Sequence, residues 1–481
     1  MIPVPPDNTA IGSQRALRVL LVLPDGRIHK LRLGSFQRSM REAPLTLTTL
    51  ASLSPPDVAV DFTLVDESVE RVPLDYEGDL IGISSITGTS SRAYEIADHF
   101  RARGQRVVIG GVHATILPEE AAQHADAVVV GPAEQLWPRV LSDCARGRLE
   151  PEYRDAAPPA GEPLWLPLPR RDLQRTRRYN VPNTTMATRG CRHACDFCSV
   201  PTVTRGYRKR PVGEVVADVA TMPGRLMTFN DVSLLDDVEY AKELLHAMIP
   251  LRRRWGGLAT SRVADDPELL ELLERSGCIY LLIGLESSSR AALGEIHKGF
   301  NCQRTYGRLM SALHEHGVSV QGCFMFGFDS DETSVFDETV EAVDELGIDI
   351  PRYSILTPYP GTPLFERLLA QGRILSVDWD DYDTMHPVFE PARMTAHELF
   401  DGFKRAYRRT FALSRILRRA RWTKLRGLVN LVGNLTYRRF VRRLQRDPRL
   451  ALPFNPDARP TLRAGEPARP PTAEEETACL A

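Results

Sequence analysis

The sequence predicts two successive α/β domains followed by a helical region. Three observations support this prediction: short apolar runs alternate with amphipathic segments, turns rich in Gly, Ser or Thr follow the runs, and the alternation ends near residue 390. Continuous apolar strands are typical of parallel sheets that helices cover on both faces. At 481 residues the chain also exceeds what one hydrophobic core usually organises. We therefore expect a doubly wound Rossmann-like domain, a partial (β/α)6 barrel and a helical C-terminal region.

The first α/β domain is predicted over residues 16–150, after a flexible N-terminal segment at residues 1–15. Its strand-like runs are ALRVLLVLP, VDFTLVD, DLIGISS, RVVIGG and DAVVVG. The turns that follow them include SSITGTSS, GGVHAT and GPAE. Because open parallel sheets bind ligands at the carboxyl ends of their strands, these turns form the predicted binding edge.

A linker rich in Pro and Arg is predicted over residues 151–180, and the second α/β domain over residues 181–390. Its strand-like runs are TTMATRG, RLMTFND, GGLATSR, CIYLLIGLES, SVQGCFMFGF and RYSILTPYPGT. About six parallel units suit a partial β/α barrel, whose functional groups come from loops at the carboxyl ends of the strands. Residues 391–450 are predicted to be helical. Residues 451–481 contain few apolar side chains and are predicted to be disordered.

The composition is that of a globular protein, with 43% hydrophobic and 26% charged residues. No apolar run has the length of a membrane span, and the N-terminus lacks the pattern of a signal peptide, so we expect a cytoplasmic protein. The formal net charge of −1 gives no reason to expect a nucleic-acid partner. Thiols stay reduced in the cytoplasm, so clustered cysteines indicate a metal or catalytic site rather than disulfides.

Three of the eight cysteines, Cys191, Cys195 and Cys198, lie within the segment GCRHACDFCSVP. One tight loop with this spacing turns three thiolates toward a common point, and thiolates favour iron–sulfur clusters, zinc or cuprous ion. On a cubane iron–sulfur cluster, three cysteines leave one iron open for another ligand. Structural zinc, with His193 or a distant residue as the fourth ligand, is the alternative. Structural zinc sites usually pair two Cys-x-x-Cys units, and the sequence has no second unit.

The Cys-x3-Cys-x2-Cys motif after the first barrel strand resembles that of the radical S-adenosylmethionine (SAM) enzymes. Phe197 fits the aromatic position that this family commonly has before the last cysteine. The resemblance implies a 4Fe-4S cluster whose open iron chelates the amino and carboxylate groups of SAM. It also implies an electron donor such as flavodoxin or ferredoxin, because electron transfer to SAM yields the 5′-deoxyadenosyl radical.

The resemblance assigns further SAM contacts to residues at the ends of later barrel strands. These are Asn230 and Asp231 in TFND, Glu286 and Ser287 in GLES, and Gly327 in FMFGF. Several also have structural interpretations: Asp231 as a helix cap, Glu286 as part of a barrel ion pair, and Gly327 as a turn glycine. Their order at successive strand ends supports the functional assignment.

The order of the two domains is similar to that of the cobalamin-binding branch of the family. The segment from Gly110 to Glu134 resembles that branch's Gly-Gly-x-His-x-Thr and Gly-Glu-x-Glu turns, with Pro132 in place of the first Glu. The cobalamin-binding residues implied by the resemblance are Ser84, Thr87, Gly110, Gly111, His113, Thr115, Gly131 and Glu134. A nucleotide-binding Rossmann-like domain is the alternative, although no Gly-x-Gly-x-x-Gly follows the first strand.

The motif that usually supplies a lower axial histidine to cobalamin, Asp-x-His-x-x-Gly, does not occur after the first strand. His29 lies four residues after Asp25 and does not fit this motif. The resemblance therefore implies cobalamin bound without its own dimethylbenzimidazole and without a histidine ligand. As a turn residue, His113 is expected to form hydrogen bonds rather than to bind cobalt.

The segment from Phe411 to Arg446 is rich in arginine and contains no Asp or Glu. It is compatible with capping helices that have a solvated basic side, with peripheral membrane contact, or with an RNA-binding face. The near-neutral net charge of the whole chain disfavours the last of these.

Together, these features predict a cobalamin-dependent radical SAM enzyme, specifically a C-methyltransferase acting on an unactivated carbon of a small-molecule or lipid-like metabolite. An oxidative cyclase or ring-rearranging enzyme of the same branch is the alternative, because no substrate-binding residue is recognisable. The alternative from another class is a non-catalytic regulator that binds a metal and a ligand.

Overall fold

The computed structural model describes residues 15–26, 39–154, 162–204, 206–295, 303–420 and 427–445. Most of the N-terminal segment 1–15, His29 and the tail 451–481 lie outside these residues. The described chain contains two six-stranded sheets, two small two-stranded sheets and a C-terminal group of helices.

The first unit carries the N-terminal sheet. Its strands are β1 (Leu17–Leu23), β2 (Ser39–Glu42), β3 (Val60–Asp66), β4 (Leu80–Ser84), β5 (Val107–Gly110), β6 (Ala127–Val130) and β7 (Glu152–Arg154). Its helices are α1 (Thr46–Ala51), α2 (Ser90–Ala102), α3 (Val112–Ile116), α4 (Pro118–Ala121) and α5 (Ala133–Ala145), with a 3₁₀ turn at Thr87–Thr89.

Six of these strands form a parallel sheet in the order β3-β1-β4-β5-β6-β7. The direction of winding changes between β1 and β4, which opens a crevice at the carboxyl ends of these strands. One apolar layer packs under α2, and another packs under α1 and α5. The predicted doubly wound fold is therefore confirmed. Strand β7 lies within the predicted linker and extends this sheet beyond residue 150.

The second unit carries the barrel and the C-terminal helices. Its strands are β8 (Tyr179–Val181), β9 (Thr184–Thr185), β10 (Thr188–Arg189), β11 (Arg208–Lys209), β12 (Leu226–Phe229), β13 (Arg254–Ala259), β14 (Cys278–Glu286), β15 (Ser319–Phe326) and β16 (Ile350–Ile355). Its first helices are α6 (Val200–Val203), α7 (Val212–Thr221), α8 (Val238–Met248), α9 (Pro267–Ser276), α10 (Arg290–Glu295), α11 (Gln303–Glu315), α12 (Val335–Glu345) and α13 (Pro363–Ala370). The C-terminal helices are α14 (Ala396–Thr410), α15 (Leu413–Ala420) and α16 (Gly427–Leu444). Short 3₁₀ turns occur at Arg171–Leu173, Thr176–Arg178, Ile249–Leu251, Ser261–Asp265 and Trp379–Asp381.

The barrel is a parallel sheet in the order β16-β15-β14-β13-β12-β9, with β16 and β9 at its two edges. Alternate side chains of its strands, such as Phe229, Ile283 and Phe326, join the main apolar core under the helices. The other set of side chains faces the interior of the barrel. The predicted partial (β/α)6 barrel is therefore confirmed.

A small sheet connects the two units. Strand β2 pairs with β8, and Ala43 N donates a hydrogen bond of 3.0 Å to Val181 O. Thr184 Oγ1 donates a hydrogen bond of 2.8 Å to Ala43 O, so the chain just after β2 is tied to β9 of the barrel. This contact joins residues that are more than a hundred positions apart in the sequence.

The C-terminal helices pack against α12 and the edge strand β16. Part of the basic stretch forms ion pairs with acidic residues of α12. Arg415 Nη2 lies 2.7 Å from Glu341 Oε1, and Arg419 Nη1 lies 3.1 Å from Asp344 Oδ1. These arginines therefore attach the C-terminal helices to the barrel. In the described part of the chain, no helix combines the length and the apolar character needed to span a membrane.

Candidate active site

The cysteine loop connects β10 to α6 at the carboxyl edge of the barrel. Gly190, at the start of the loop, has a left-handed φ of 84°, and a Cβ there would lie 1.9 Å from Gly206 O. Only glycine therefore fits this close approach. Cys198 N donates a hydrogen bond of 3.0 Å to Cys195 O, which closes a turn between two of the cysteines. Cys195 is buried, while Cys191 and Cys198 are partly exposed.

Asp231 fixes the backbone that leads into this loop. Its carboxylate accepts hydrogen bonds from Ala187 N at 3.0 Å, from Thr188 Oγ1 at 2.7 Å and from Thr188 N. Burial raises the pKa of Asp231 to about 6, while these donors favour the ionised form. Asp231, a predicted SAM contact, thus lies beneath the loop and contacts its supporting strands.

Contacts on both sides hold the cysteine loop in place. His193 Nε2 lies 3.0 Å from Asp236 Oδ2. Burial alone would raise the pKa of Asp236, but hydrogen bonds from His193 and other donors lower it below its ordinary value. On the other side, Arg367 Nη1 lies 3.2 Å from Asp196 Oδ2, and Leu364 N donates a hydrogen bond of 3.0 Å to Asp196 O. The loop is therefore tied to residues that follow β12 and to α13.

The donor set of the loop suits an iron–sulfur cluster. Within the described ranges, no three His, Cys, Asp or Glu side chains are arranged to hold a single metal ion. A cubane cluster does not require such convergence, because each cysteine binds a different iron. Three soft thiolates on one fixed loop, at the edge of the barrel where ligands bind, fit a 4Fe-4S group.

The other predicted SAM-binding residues lie at the ends of successive strands. Asn230 N donates a hydrogen bond of 2.8 Å to Thr185 O at the end of β12. Glu286 follows a bulge in β14 and has a left-handed φ of 65°, which is strained for a residue with a side chain. Ser287 Oγ accepts a hydrogen bond of 3.0 Å from Ser289 N.

Gly327 and Phe197 lie on the same edge of the barrel. Gly327 N donates a hydrogen bond of 3.0 Å to Asp331 Oδ2 in the turn after β15. Phe197 packs against an apolar cluster that includes Phe328 and Phe389. The carboxyl edge of the barrel thus carries the cysteine loop and the predicted SAM contacts of three further strands.

We expect Asp331→Asn to change the pH dependence of stability. Burial and the nearby Glu295 and Glu338 raise the pKa of Asp331 from 3.8 to about 7, although two backbone N–H groups oppose this shift. A carboxyl group with a raised pKa stabilises the fold at low pH, and that contribution is lost as the pH rises through about 7. This change in pKa corresponds to a free-energy difference on the order of 4 kcal/mol. The amide retains the acceptor for Gly327 and Phe328.

The thermal unfolding midpoints of wild type and Asp331→Asn at about pH 5 and about pH 8 test this expectation. The variant should gain stability relative to wild type at the higher pH. Asp329→Asn, which removes a partner of Arg373, is the control and should not gain. An unchanged pH dependence in Asp331→Asn would contradict the assignment.

A cavity of about 360 Å³ opens at the carboxyl edge of the first sheet. Its walls are mainly apolar and include Leu21, Leu50 and Val129. Six of the eight residues predicted to bind cobalamin line it: Ser84, Gly110, Gly111, Thr115, Gly131 and Glu134.

The other two predicted residues, Thr87 and His113, lie outside the lining of this cavity. His113 is fully buried, with Nδ1 at 3.3 Å from Thr87 Oγ1 and Nε2 at 3.2 Å from Glu120 Oε1. Trp379 Nε1 donates a hydrogen bond of 3.0 Å to the same Glu120 oxygen. Thr87 and His113 thus lie where the first unit contacts the Trp379–Asp381 turn of the second unit.

The residues of the cavity suit a large, mostly apolar cofactor with polar side groups. Ser85 Oγ and Trp137 Nε1 are buried in its wall and have no hydrogen-bond partner within the described chain. Buried polar groups are normally satisfied, so two unsatisfied ones in this wall fit a site that a ligand completes. Among the described residues, the lining contains no histidine. The cavity therefore fits cobalamin without assigning a histidine to the metal.

The cavity extends to the residues next to the cysteine loop. Met186, Arg189 and Val203 of the barrel unit form part of its wall. Arg189 Nη2 lies 2.5 Å from Glu134 Oε1, and both side chains are largely buried. Burial alone would raise the pKa of Glu134. The nearby Arg189 outweighs this effect, so the pKa of Glu134 lies below its ordinary value. An ion pair thus connects the cavity wall to the residue two positions before Cys191.

Removal of this ion pair should weaken the contact between the units. We expect Glu134→Gln to lower the free energy of unfolding by about 2 to 3 kcal/mol, because Arg189 keeps a hydrogen-bond acceptor but loses its counter-ion. Chemical denaturation measures the change. Glu152→Gln, which removes the exposed partner of Arg154 in the same unit, is the control and should cost at most about 1 kcal/mol. Equal losses in the two variants would contradict the role of the Glu134–Arg189 pair.

Three functional features were missed from the sequence: Arg189, the unused donors Ser85 and Trp137, and the support that Asp231 gives to the cysteine loop. Arg189 immediately precedes Gly190 and Cys191, and this position beside the motif was the available signal. No sequence signal indicated that Ser85 or Trp137 lacks a protein partner.

The fold and the two sites define the class of this protein: a radical SAM enzyme with an N-terminal cobalamin-binding domain. The family model of the B12 binding domain matches residues 18–141, and the model of the radical SAM superfamily matches residues 185–343. The first range contains most of the cavity-bearing sheet, and the second contains the cysteine loop.

Curated relatives and solved structures agree with this class. The chain is 33% identical to bacteriochlorophyllide d C-12(1)-methyltransferase of Chlorobaculum tepidum, over 83% of this chain and 89% of the relative. It is 31% identical to the C-8(2)-methyltransferase of the same organism, over 82% and 91% of the two chains. The structure of the radical SAM methyltransferase TsrM from Kitasatospora setae has a similar fold, with a TM-score of 0.59, 18% identity and coverage of 74% and 78%.

The chain belongs to the cobalamin-binding radical SAM family, and it is a radical SAM enzyme whose curated relatives include C-methyltransferases. Its cofactors are a 4Fe-4S cluster, SAM and cobalamin. The predicted family, enzyme class and cofactors are confirmed.

Proposed function

We propose that this enzyme methylates an unactivated carbon on a side chain of a tetrapyrrole carboxylic acid. The observation that carries the proposal is the identity of 33% and 31% to two bacteriochlorophyllide d methyltransferases over most of their length. Both act, by name, on the side chains of one macrocycle. The cavity beside the cysteine loop supports methyl transfer, because a cobalamin bound there would lie next to the cysteines that would hold the cluster.

When bound, the cluster and SAM supply a radical that abstracts hydrogen, and cobalamin supplies the methyl group. The residues of this chain organise that chemistry. Cys191, Cys195 and Cys198 would hold the cluster, and Asp231 fixes the strands beneath their loop. Arg189 and Glu134 hold the cavity wall against the loop. The apolar walls of the cavity exclude water, which protects a reactive radical from side reactions.

The test is anaerobic turnover of the reconstituted enzyme with SAM, a reductant, cobalamin and bacteriochlorophyllide d as the probe. The proposal expects a product heavier by one methylene group, with S-adenosylhomocysteine and 5′-deoxyadenosine formed in equal amounts. A product that has lost hydrogen and gained no carbon would instead support the cyclase alternative. Formation of deoxyadenosine with no change in the probe would exclude bacteriochlorophyllide d as a substrate.

We also propose that a flavodoxin or ferredoxin delivers the electron. Reduction by either protein should support deoxyadenosine formation in place of a chemical reductant, and failure of both would contradict this proposal.

We further propose peripheral membrane contact through the C-terminal helices. Its support is the exposure of the apolar residues Leu413 and Leu417 on α15 and Val432 on α16, near arginines such as Arg418. Sedimentation with vesicles containing anionic lipid should be lost in the double variant Leu413→Ser, Leu417→Ser. Equal sedimentation of wild type and this variant would contradict the contact.

A further inference from the structure

Arg352 lies in the middle of β16, the last strand of the barrel. Its neighbours Tyr353 and Ile355 join the apolar core under the helices. Because side chains alternate along a strand, Arg352 faces the interior of the barrel. In the sheet register, Arg352 pairs with Cys323, which pairs with Gly284, two residues before Glu286. Arg352 therefore lies deeper in the barrel than the strand ends that carry the predicted SAM contacts.

The described surroundings of Arg352 consist of uncharged side chains. Its electrostatic neighbours are Cys323, Tyr280, Tyr407 and Tyr437, on two strands and the helices α14 and α16. Gln321 connects the two tyrosines, because Tyr280 OH donates to Gln321 Oε1 and Gln321 Nε2 donates to Tyr437 OH at 2.8 Å. Within the described residues, no carboxylate lies at ion-pair distance from Arg352.

Two enclosed arginines of this unit share an acidic partner. Arg171 and Arg210 both pair with Asp218, at 2.7 and 3.5 Å. Arg352 differs because neighbours from several elements surround it and yet its side chain remains exposed. A side chain with both properties projects into the open interior of the barrel. A guanidinium in such a place is favoured when an anion occupies the space in front of it.

We propose that Arg352 pairs with a carboxylate of the substrate and orients the substrate in the barrel. This inference rests on the proposed function and adds which group of the substrate the enzyme recognises. A planar guanidinium binds a carboxylate through two parallel hydrogen bonds, which fix direction as well as position. Tyr280 and Tyr437 are electrostatic neighbours of Arg352, and aromatic side chains suit a flat ring system next to the acidic group.

The carboxylate of SAM is the competing anion. In this family the open iron chelates that carboxylate, and the cysteine loop follows the first strand of the barrel, whereas Arg352 lies on the strand at the opposite edge of the sheet. Arg352 is therefore available to a second anion. Glu42 influences the same two tyrosines but is not within ion-pair distance of Arg352.

The test compares wild type, Arg352→Gln and Arg352→Lys as reconstituted holoenzymes. The probes are bacteriochlorophyllide d and its methyl ester, and equilibrium binding is followed by their absorbance in addition to turnover. We expect wild type to bind the acid at least about tenfold more tightly than the ester. Arg352→Gln should lose this preference, and Arg352→Lys should restore part of it. The control is Arg254→Gln, which changes an exposed arginine on β13.

Two further measurements distinguish substrate binding by Arg352 from a role in SAM binding and from a purely structural role. Deoxyadenosine formed without substrate should be unchanged in Arg352→Gln, and a loss would show that Arg352 serves SAM instead. The melting temperature should be unchanged or higher, whereas a purely structural role requires a decrease. Equal binding of acid and ester by wild type, or binding of neither, would overturn the inference. Acid-selective binding without methylation would support the role of Arg352 in binding the carboxylate and would contradict the proposed methyl transfer.

Discussion

Replacement of Cys195 by alanine is expected to abolish both deoxyadenosine formation and methyl transfer while cobalamin binding persists. Cys195 is the buried member of the three cysteines, and its carbonyl accepts the hydrogen bond that shapes the loop. The variant keeps that backbone contact and loses one of three thiolate ligands, so the cluster should not assemble stably. Iron content, the visible absorbance of the cluster and the deoxyadenosine assay measure the loss.

A second cysteine provides the matched control for this variant. Cys278 is buried at the start of β14, away from the loop, and behaves as a small core residue. Cys278→Ala should retain iron, cobalamin and activity, with a modest loss of stability of about 1 kcal/mol. If Cys195→Ala retained iron and still cleaved SAM, the cluster assignment would be wrong.

Gly131→Phe is expected to remove bound cobalamin and methyl transfer while SAM cleavage persists. Gly131 lines the cavity, and a Cβ there meets no atom within 4 Å. The phenyl ring therefore enters the space that the cofactor needs. Cobalamin content after reconstitution should fall by at least about tenfold, which corresponds to about 1.4 kcal/mol. The iron content should stay at the wild-type value, because the cysteine loop is unchanged.

The control for Gly131→Phe must reproduce the backbone strain. Gly131 has a φ of 97°, so a side chain there costs about 1 to 2 kcal/mol whatever the cavity holds. Gly104 has a φ of 76° and equally open space around its Cβ, but it lies after α2 and outside the cavity lining. Gly104→Phe should therefore lose similar stability and keep its cobalamin. Equal loss of cobalamin in both variants would show that strain, rather than occupation of the cavity, causes the effect.

The sequence was sufficient to predict the large sheets. Runs such as LLVL in β1 and VVV in β6 are continuous and apolar because these strands are buried on both faces, and this pattern needs no knowledge of distant residues. The pairing of β2 with β8 was not predictable in this way. Those strands are short, and their partners come from segments far apart in the chain.

For the candidate sites, the sequence predicted which segments contribute but not where each side chain points. Sequence motifs placed Gly110, Gly111 and His113 in one turn, but a motif does not specify which side of the turn a side chain takes. The structure places the two glycines in the cavity wall and His113 behind it, facing Glu120. Arg352 was not predictable because a single arginine in the run IPRYSI has no motif, and its lack of an acidic partner among the described residues becomes visible only in the folded barrel.

We expect one chain to hold a 4Fe-4S cluster and a cobalamin on either side of the Glu134–Arg189 contact. The most direct test is the metal content of the anaerobically reconstituted protein, combined with electron spin resonance of the reduced cluster with and without SAM. We expect about four irons with matching sulfide, about one cobalt, and a spectrum that changes when SAM is added. Zinc in place of iron, or iron with no cobalt after reconstitution with cobalamin, would contradict it.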